Sequence, residues 1–297
     1  MVIKMFNVWY FLWLAILVGA FVGLYFLLRN KSERVKNTVL FSLLAFALLL
    51  HFLKAFFPPY STDQWRFFND IWFINICAAN ILIFPFIYLS KNQILRDYMF
   101  YIGVLSGAVA ILYPIEPILK TDPTGEVLDI IRFYIHHGIL FIVPLLMVVF
   151  GLHKLDYRRV VRMPACLLGL FLFIMFNQIM QQELGFADVR GYAGTDITLI
   201  GYKNTSYIWG TDDGDVIGRI LRFFTPNVFK SIPVGKYAGV DKEWPFVWLI
   251  VPVYVLFTPI CFGLSMIFEH KKFKDDWGRV KLKLSPRIAD LKAKFKR

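Results

Sequence analysis

Charge is scarce in this sequence. Only 18% of its 297 residues are Asp, Glu, Lys or Arg, while 58% are hydrophobic. A soluble domain hides its apolar groups beneath a charged and polar surface, so this shortage excludes an ordinary water-soluble enzyme or binding module. Cysteine is scarce as well. Cys77, Cys166 and Cys261 are the full set, each inside an apolar run, which leaves no disulfide framework. The sequence also has no internal repeat, no Gly-rich phosphate loop and no Gly-x-Ser-x-Gly elbow. Those absences argue against a solenoid, a P-loop nucleotidase and an α/β-hydrolase. His and Cys show no close metal-ligand spacing, so neither a metal nor another cofactor is expected.

Long apolar runs are what the sequence has instead, and they raise the mean hydropathy to +0.57. Seven stand out, at about 8–28, 38–57, 70–89, 97–114, 128–152, 163–182 and 244–268. Segments of about 18–25 residues, rising 1.5 Å per residue, match a hydrocarbon core of about 30 Å. The predicted fold class is all-α: a polytopic bundle of seven transmembrane helices, multi-pass in the cell membrane. The first run is too long for a signal-peptide core and ends at Leu28-Arg29 rather than at a small-residue cleavage site, so it reads as a retained helix.

Basic residues set the orientation, because Lys and Arg collect in short cytoplasmic loops. Arg29, Lys31, Arg34 and Lys36 fall in the first loop, Lys91 and Arg96 in the third, and Lys154, Arg158, Arg159 and Arg162 in the fifth. The second and fourth loops offer little beyond Arg66 and Lys120. The pattern predicts an outer N-terminus and an inner C-terminus. Residues 1–268 then form the transmembrane domain, with one long outer loop at 183–243, and residues 269–297 form a basic cytoplasmic amphipathic tail.

A net charge of +12 would suit nucleic acid, but 11 of the 33 basic residues lie beyond Glu269, directly after a span. A juxtamembrane basic segment is drawn to anionic lipid headgroups, and Ile288, Leu291 and Phe295 recur at helical spacing among its cations. The expected partner is a membrane surface, not nucleic acid. The outer loop holds Asp212-Asp213-Gly214-Asp215, an incomplete calcium pattern, and the sequon Asn204-Thr205-Ser206. His153 and His270 fall at inner helix ends, where snorkelling to the interface accounts for them.

Ionisable groups within spans are costly and default to a functional hypothesis. His136 and His137 stand together in the fifth run, His51 in the second, and Cys77 is a candidate reactive partner in the third. Counted from the outer ends, Cys77 lies about 10 Å deep, His137 about 13 Å, His51 about 9 Å and Asn177 about 8 Å. Four helices thus bring polar groups to one layer. Cys77 and Asn80, three residues apart, share a face of their helix. Asp129, Arg132 and His136 follow i, i+3, i+7 spacing, which reads as an ion pair capped by an imidazole. His137 points about 100° away from that stripe and is the better candidate to meet Cys77. Gly138 beside it permits a close helix approach.

Three segments carry a family likeness. Phe73-Ile74-Asn75-Ile76-Cys77, Phe133-Tyr134-Ile135-His136-His137-Gly138 and Asn204-Thr205-Ser206-Tyr207 resemble the YwaF family of bacterial integral membrane proteins. That family is similar to the transmembrane protein 164 group, acyltransferases that remodel ether phospholipids. Asn75 stands where family members commonly carry the His of Leu-Pro-Leu-His-Leu-Cys, whereas the Cys and the His before Gly match at Cys77 and His137. The resemblance implies an acyltransferase working on phospholipids and lysophospholipids. Thiol chemistry agrees with it: an imidazole generates the thiolate of Cys77, and the thiolate accepts an acyl chain as a thioester. Asn80 or Asn177 is placed to hold the oxyanion, with His136 and His51 in support. One alternative is a transporter or channel for a small solute, with a polar cavity in the outer half of the membrane and Pro85, Pro144 and Pro252 as kinks. Another is a metal site drawn from His51, Cys77, His136 and His137.

Overall fold

The structure is a computed structural model of the chain and describes residues 1–63, 71–73, 75–119, 126–184, 206–211, 216–233, 238–239 and 241–294, with the backbone alone at 182–183 and 282–294. The acidic segment 212–215, the sequon residues Asn204 and Thr205, and the side chains of Ile288, Leu291 and Phe295 lie outside the described residues.

Every regular element among the described residues is helical: α1 (Val8–Leu28), α2 (Glu33–Leu53), α3 (Ile76–Leu89), α4 (Gln93–Leu112), α5 (Ile115–Ile118), α6 (Val127–Val149), α7 (Met163–Glu183), α8 (Val216–Phe223) and α9 (Ile250–Lys294). Side-chain caps set several starts. Asn7, Asn75 and Asn92 accept from Tyr10 N, Ala78 N and Ile94 N at 2.9, 2.8 and 2.9 Å, satisfying N–H groups that have no partner within the helix.

The chain is a multi-pass membrane protein. Among the described residues, α1, α2, α4, α6, α7 and α9 lie in six segments long and apolar enough to cross a bilayer. The third apolar run forms α3, which has 14 residues. That is about 21 Å of helix, short of a core of about 30 Å. The seventh run also differs from expectation. Its helix does not stop near residue 268 but continues through the basic segment to Lys294.

α6 is the centre of the bundle and α1 its edge, with 72% and 6% of their apolar windows buried. The close partner of α6 is α4, and two glycines permit the approach. A Cβ at Gly103 would stand 2.7 Å from the Leu140 carbonyl, and one at Gly107 would stand 3.0 Å from the His137 carbonyl. On the other flank Leu17 of α1 fills the space over Gly138, and Trp13 stacks on Tyr134 at 4.6 Å.

The end of the bundle rich in Lys and Arg is tied by ion pairs. Asp97, fully buried, accepts from His153 Nε2 at 2.7 Å and from Arg159, whose Nη2 is 3.0 Å away. His153 is therefore a buried structural group and does not snorkel. Outside it, Asp276 of α9 receives the Tyr157 hydroxyl at 2.7 Å and pairs with Arg158, while Lys272 bridges Asp156 and Glu269 at 3.0 and 3.3 Å. These contacts dock the first turns of the segment that begins at Glu269 onto the bundle.

Candidate functional site at the opposite end

At the other end, the C-terminal turn of α2, the segment after it and the first turns of α6 enclose a cavity of about 220 Å³. Its walls are mostly apolar, from Leu50, Phe57, Leu128, Ile131 and Ile135, with Lys54, Tyr60, Asp129 and Arg132 as polar members. Arg132 organises them. Its Nε donates to Asp129 Oδ1 at 2.6 Å, one Nη to Glu116 at 3.2 Å and to the Tyr60 hydroxyl at 3.4 Å, and the other Nη to His136 Nδ1 at 3.2 Å. Tyr60 in turn donates to Asp129 Oδ2 at 3.3 Å, and the Lys54 ammonium lies 5.0 Å over the Tyr60 ring. The i, i+3, i+7 stripe of the sequence is thus a continuous chain of hydrogen bonds.

Its geometry assigns the imidazole protons. An arginine only donates, so Nδ1 of His136 is an acceptor and Nε2 of the neutral ring carries the hydrogen. That N–H is buried and has no partner. The ring stacks on His51 with centroids 6.1 Å apart, and His51 stacks on Phe73 at 5.2 Å. A carbonyl only accepts, so His51 Nε2, 2.8 Å from the Ile71 oxygen, is a donor. By the same logic His137 donates from Nδ1 to the Phe133 carbonyl at 2.8 Å, which leaves Nε2 as its basic nitrogen.

Cys77 occupies the first turn of α3, half-buried, directly after the Asn75 cap. Asn75, the position that departs from the family pattern, therefore starts the helix that carries the thiol. Ser106 of α4 stands beside Cys77 without meeting hydrogen-bond geometry. Its neighbour Gly107 packs against the His137 backbone, so adjacent residues of one helix touch the segments of the thiol and of the imidazole.

The structure brings some predicted residues together and keeps others apart. His51, His136, Arg132 and Asp129 form one cluster. Cys77 makes no hydrogen bond with any of the three imidazoles, and neither His136 nor His137 is among the residues lining the cavity. Asn80 accepts from Tyr98 at 3.1 Å, so its carbonyl joins α3 to α4. Asn177 is partly buried with an unpaired Nδ2, and its neighbour Gln178 holds Trp209 Nε1 at 2.7 Å. Among the described residues no group of three His, Cys, Asp or Glu side chains stands close enough to hold a metal ion, so the four candidates of the metal alternative do not form such a group. Tyr60, Glu116 and Ser106 were not visible as site members in the sequence. Tyr60 and Glu116 reach the cluster from a turn and a one-turn helix, Ser106 stands beside Cys77 from a neighbouring span, and no spacing rule connects those to α6 or α3.

The TMEM164 family profile matches residues 4–208, more than half of the chain and all of the segments just described as far as Tyr207. The chain belongs to the TMEM164 family. Membership covers α1 to α7 and the whole His–Arg–Asp cluster, and leaves α8 and α9 outside the match. No curated protein and no solved structure matches the chain.

Proposed function

We propose that this TMEM164-family protein is a phospholipid acyltransferase that carries the acyl chain on Cys77, with His137 as general base, in a seven-crossing bundle whose N-terminus is outside and C-terminus inside the cell membrane. The observation that carries the reading is the 2.8 Å contact of His137 Nδ1 with the Phe133 carbonyl, which holds the ring with its basic nitrogen free for a thiol proton. The position of Cys77 supports it too, since first-turn N–H groups without an intrahelical partner suit developing negative charge.

The chemistry runs in two balanced halves. His137 Nε2 takes the thiol proton, the sulfur attacks the acyl carbonyl of a phospholipid, and the ester C–O bond breaks as His137 returns the proton to the leaving lysolipid oxygen. The acceptor lysophospholipid then gives its hydroxyl proton to His137 and attacks the thioester. The C–S bond breaks and the thiolate recovers the proton.

The test is the purified protein in vesicles with a phospholipid donor and an isotope-labelled lysophospholipid. Transfer of label into diacyl lipid is expected. Cys77→Ala should abolish it, and His137→Ala should slow it by about 10²–10⁴-fold, the range for general-base catalysis. Undiminished transfer in both variants overturns the assignment, and solute flux without lipid turnover would favour the transporter.

A further inference from the structure

α8 has two unlike faces. Toward the protein, Gly218 is buried and Leu221 packs on the main core. Arg222 pairs with Asp241 at 2.6 Å and Glu243 at 2.5 Å, and the Thr225 hydroxyl reaches the Trp248 carbonyl at 3.3 Å. On the opposite side Val216, Ile220 and Phe223 are 59%, 48% and 79% exposed, Ile217 on the flank is 55% exposed, and Val228 follows at 63%. At about 100° per residue, Val216, Ile220 and Phe223 fall within about 60° of one another, and the four protein-facing positions lie roughly opposite.

A row of large apolar side chains turned outward needs a cover. The place of α8 says what covers it. Thr225 is bonded to Trp248, in the turn that leads directly into the transmembrane part of α9, so α8 sits at the level where that span enters the hydrocarbon. The outward-facing apolar residues of α9 begin at Tyr254 and Val255, about 9 Å along the span from Trp248, so the exposed face of α8 borders that belt. The helix bears an exposed Arg219 and no acidic residue, as suits the phosphate level of a bilayer.

We infer that α8 is an interfacial helix: it lies in the leaflet at the cavity end of the bundle, with Val216, Ile220 and Phe223 inserted at the boundary of headgroups and acyl chains. Its occupant is the bilayer itself. Arg222, Leu221 and Thr225 fasten it from the protein side.

Spin labels on single-cysteine variants test this in vesicles of phosphatidylcholine and phosphatidylglycerol. In a chain with Cys77, Cys166 and Cys261 changed to Ala, labels at Ile220→Cys and Phe223→Cys should collide with oxygen several-fold more than with a water-soluble nickel complex. They should match Phe26→Cys on the lipid face of α1 rather than Lys31→Cys in the first loop. Access to nickel like that of Lys31→Cys overturns the inference, and so does shielding from both reagents, which means a protein partner. A photo-crosslinking phenylalanine at position 223 in the otherwise native chain gives an independent reading. A phospholipid adduct is expected, and a protein adduct overturns the inference.

Discussion

Both ends of the bundle bury a carboxylate, an arginine and a histidine, and the two clusters differ in what surrounds them. At the basic end, Asp97 gathers His153 and Arg159 from the segments that join α6 to α7, and Tyr157, Lys272 and Asp276 close over the outside. At the cavity end, Asp129, Arg132 and His136 lie along one helix, and two of them line open space of about 220 Å³. Each histidine leaves one ring nitrogen without a partner, but the bonded nitrogens play opposite parts. His153 donates its Nε2–H to Asp97, whereas His136 accepts from Arg132 at Nδ1. Residue type alone does not separate a latch from a site; the direction of the hydrogen bonds and the adjacent space do.

The largest test of this contrast is the removal of each carboxylate. Asp97→Ala strands Arg159 and His153 in a buried setting, and breaking a buried pair costs about 3–5 kcal/mol. Asp129→Ala leaves Arg132 with Glu116 and Tyr60, so its cost should be smaller. Equilibrium unfolding in detergent micelles reads both. Equal losses would mean that the cavity-end cluster is a second latch.

The histidines sharpen the same point. His153→Ala should destabilise by about 1–3 kcal/mol, because Asp97 loses a hydrogen bond in a fully buried place, while folded protein keeps its lipid acyl exchange. His136→Ala should cost less stability, since Arg132 retains Asp129, and should lower exchange several-fold. Paired unfolding and transfer measurements check the crossover, and the distinction fails if both variants lose stability and activity together.

The Asp129–Arg132–His136 chain was legible in the sequence because its members share one helix and 3.6-residue periodicity governs them. The long spans were legible for a similar reason, as hydrophobic length is a local property. Tyr60, Glu116 and Asp97–His153 were not, because their contacts join residues 16 to 72 positions apart, and no local pattern encodes which turn folds back on which helix. The same limit explains α3. Composition marked an apolar run from 70 to 89, but the Asn75 cap that starts the helix is an Asx contact with Ala78 N, and only backbone geometry reveals it.

Helix approach offers a further comparison. Gly103→Ala and Gly107→Ala each place a Cβ within 3.0 Å of α6, against the Leu140 carbonyl at 2.7 Å or Phe141 Cβ at 2.9 Å. Overpacking of this kind costs about 1–3 kcal/mol. Gly169→Ala on α7 meets nothing within 4 Å and should be neutral or gain up to about 1 kcal/mol of helix propensity. A loss at Gly169 equal to that at Gly107 would remove the special status of the α4–α6 contact. Thermal midpoints of the three variants in one detergent decide it.

The smallest effect lies on the rim of the basic end. Partial burial pushes the Asp156 carboxyl up, but the Arg158 N–H and the Lys272 ammonium outweigh it and hold the group below its ordinary value. A carboxylate lowered in the folded state contributes stability that is complete above its unfolded pKa of about 3.9 and is lost as pH falls through the folded value. The pair is solvent-exposed in part, with Lys272 41% and Asp156 23% exposed, so screening limits it to less than about 1 kcal/mol. Asp156→Ala should therefore differ slightly from the native chain at pH 5 to 8, and the gap should close below pH 4. If the gap persists undiminished at pH 3, the contribution of Asp156 comes from its hydrogen bond to Arg158 N at 3.1 Å and not from its charge. In that case the rim of the latch would be held as its core is, by directed contacts, and salt would leave it unchanged.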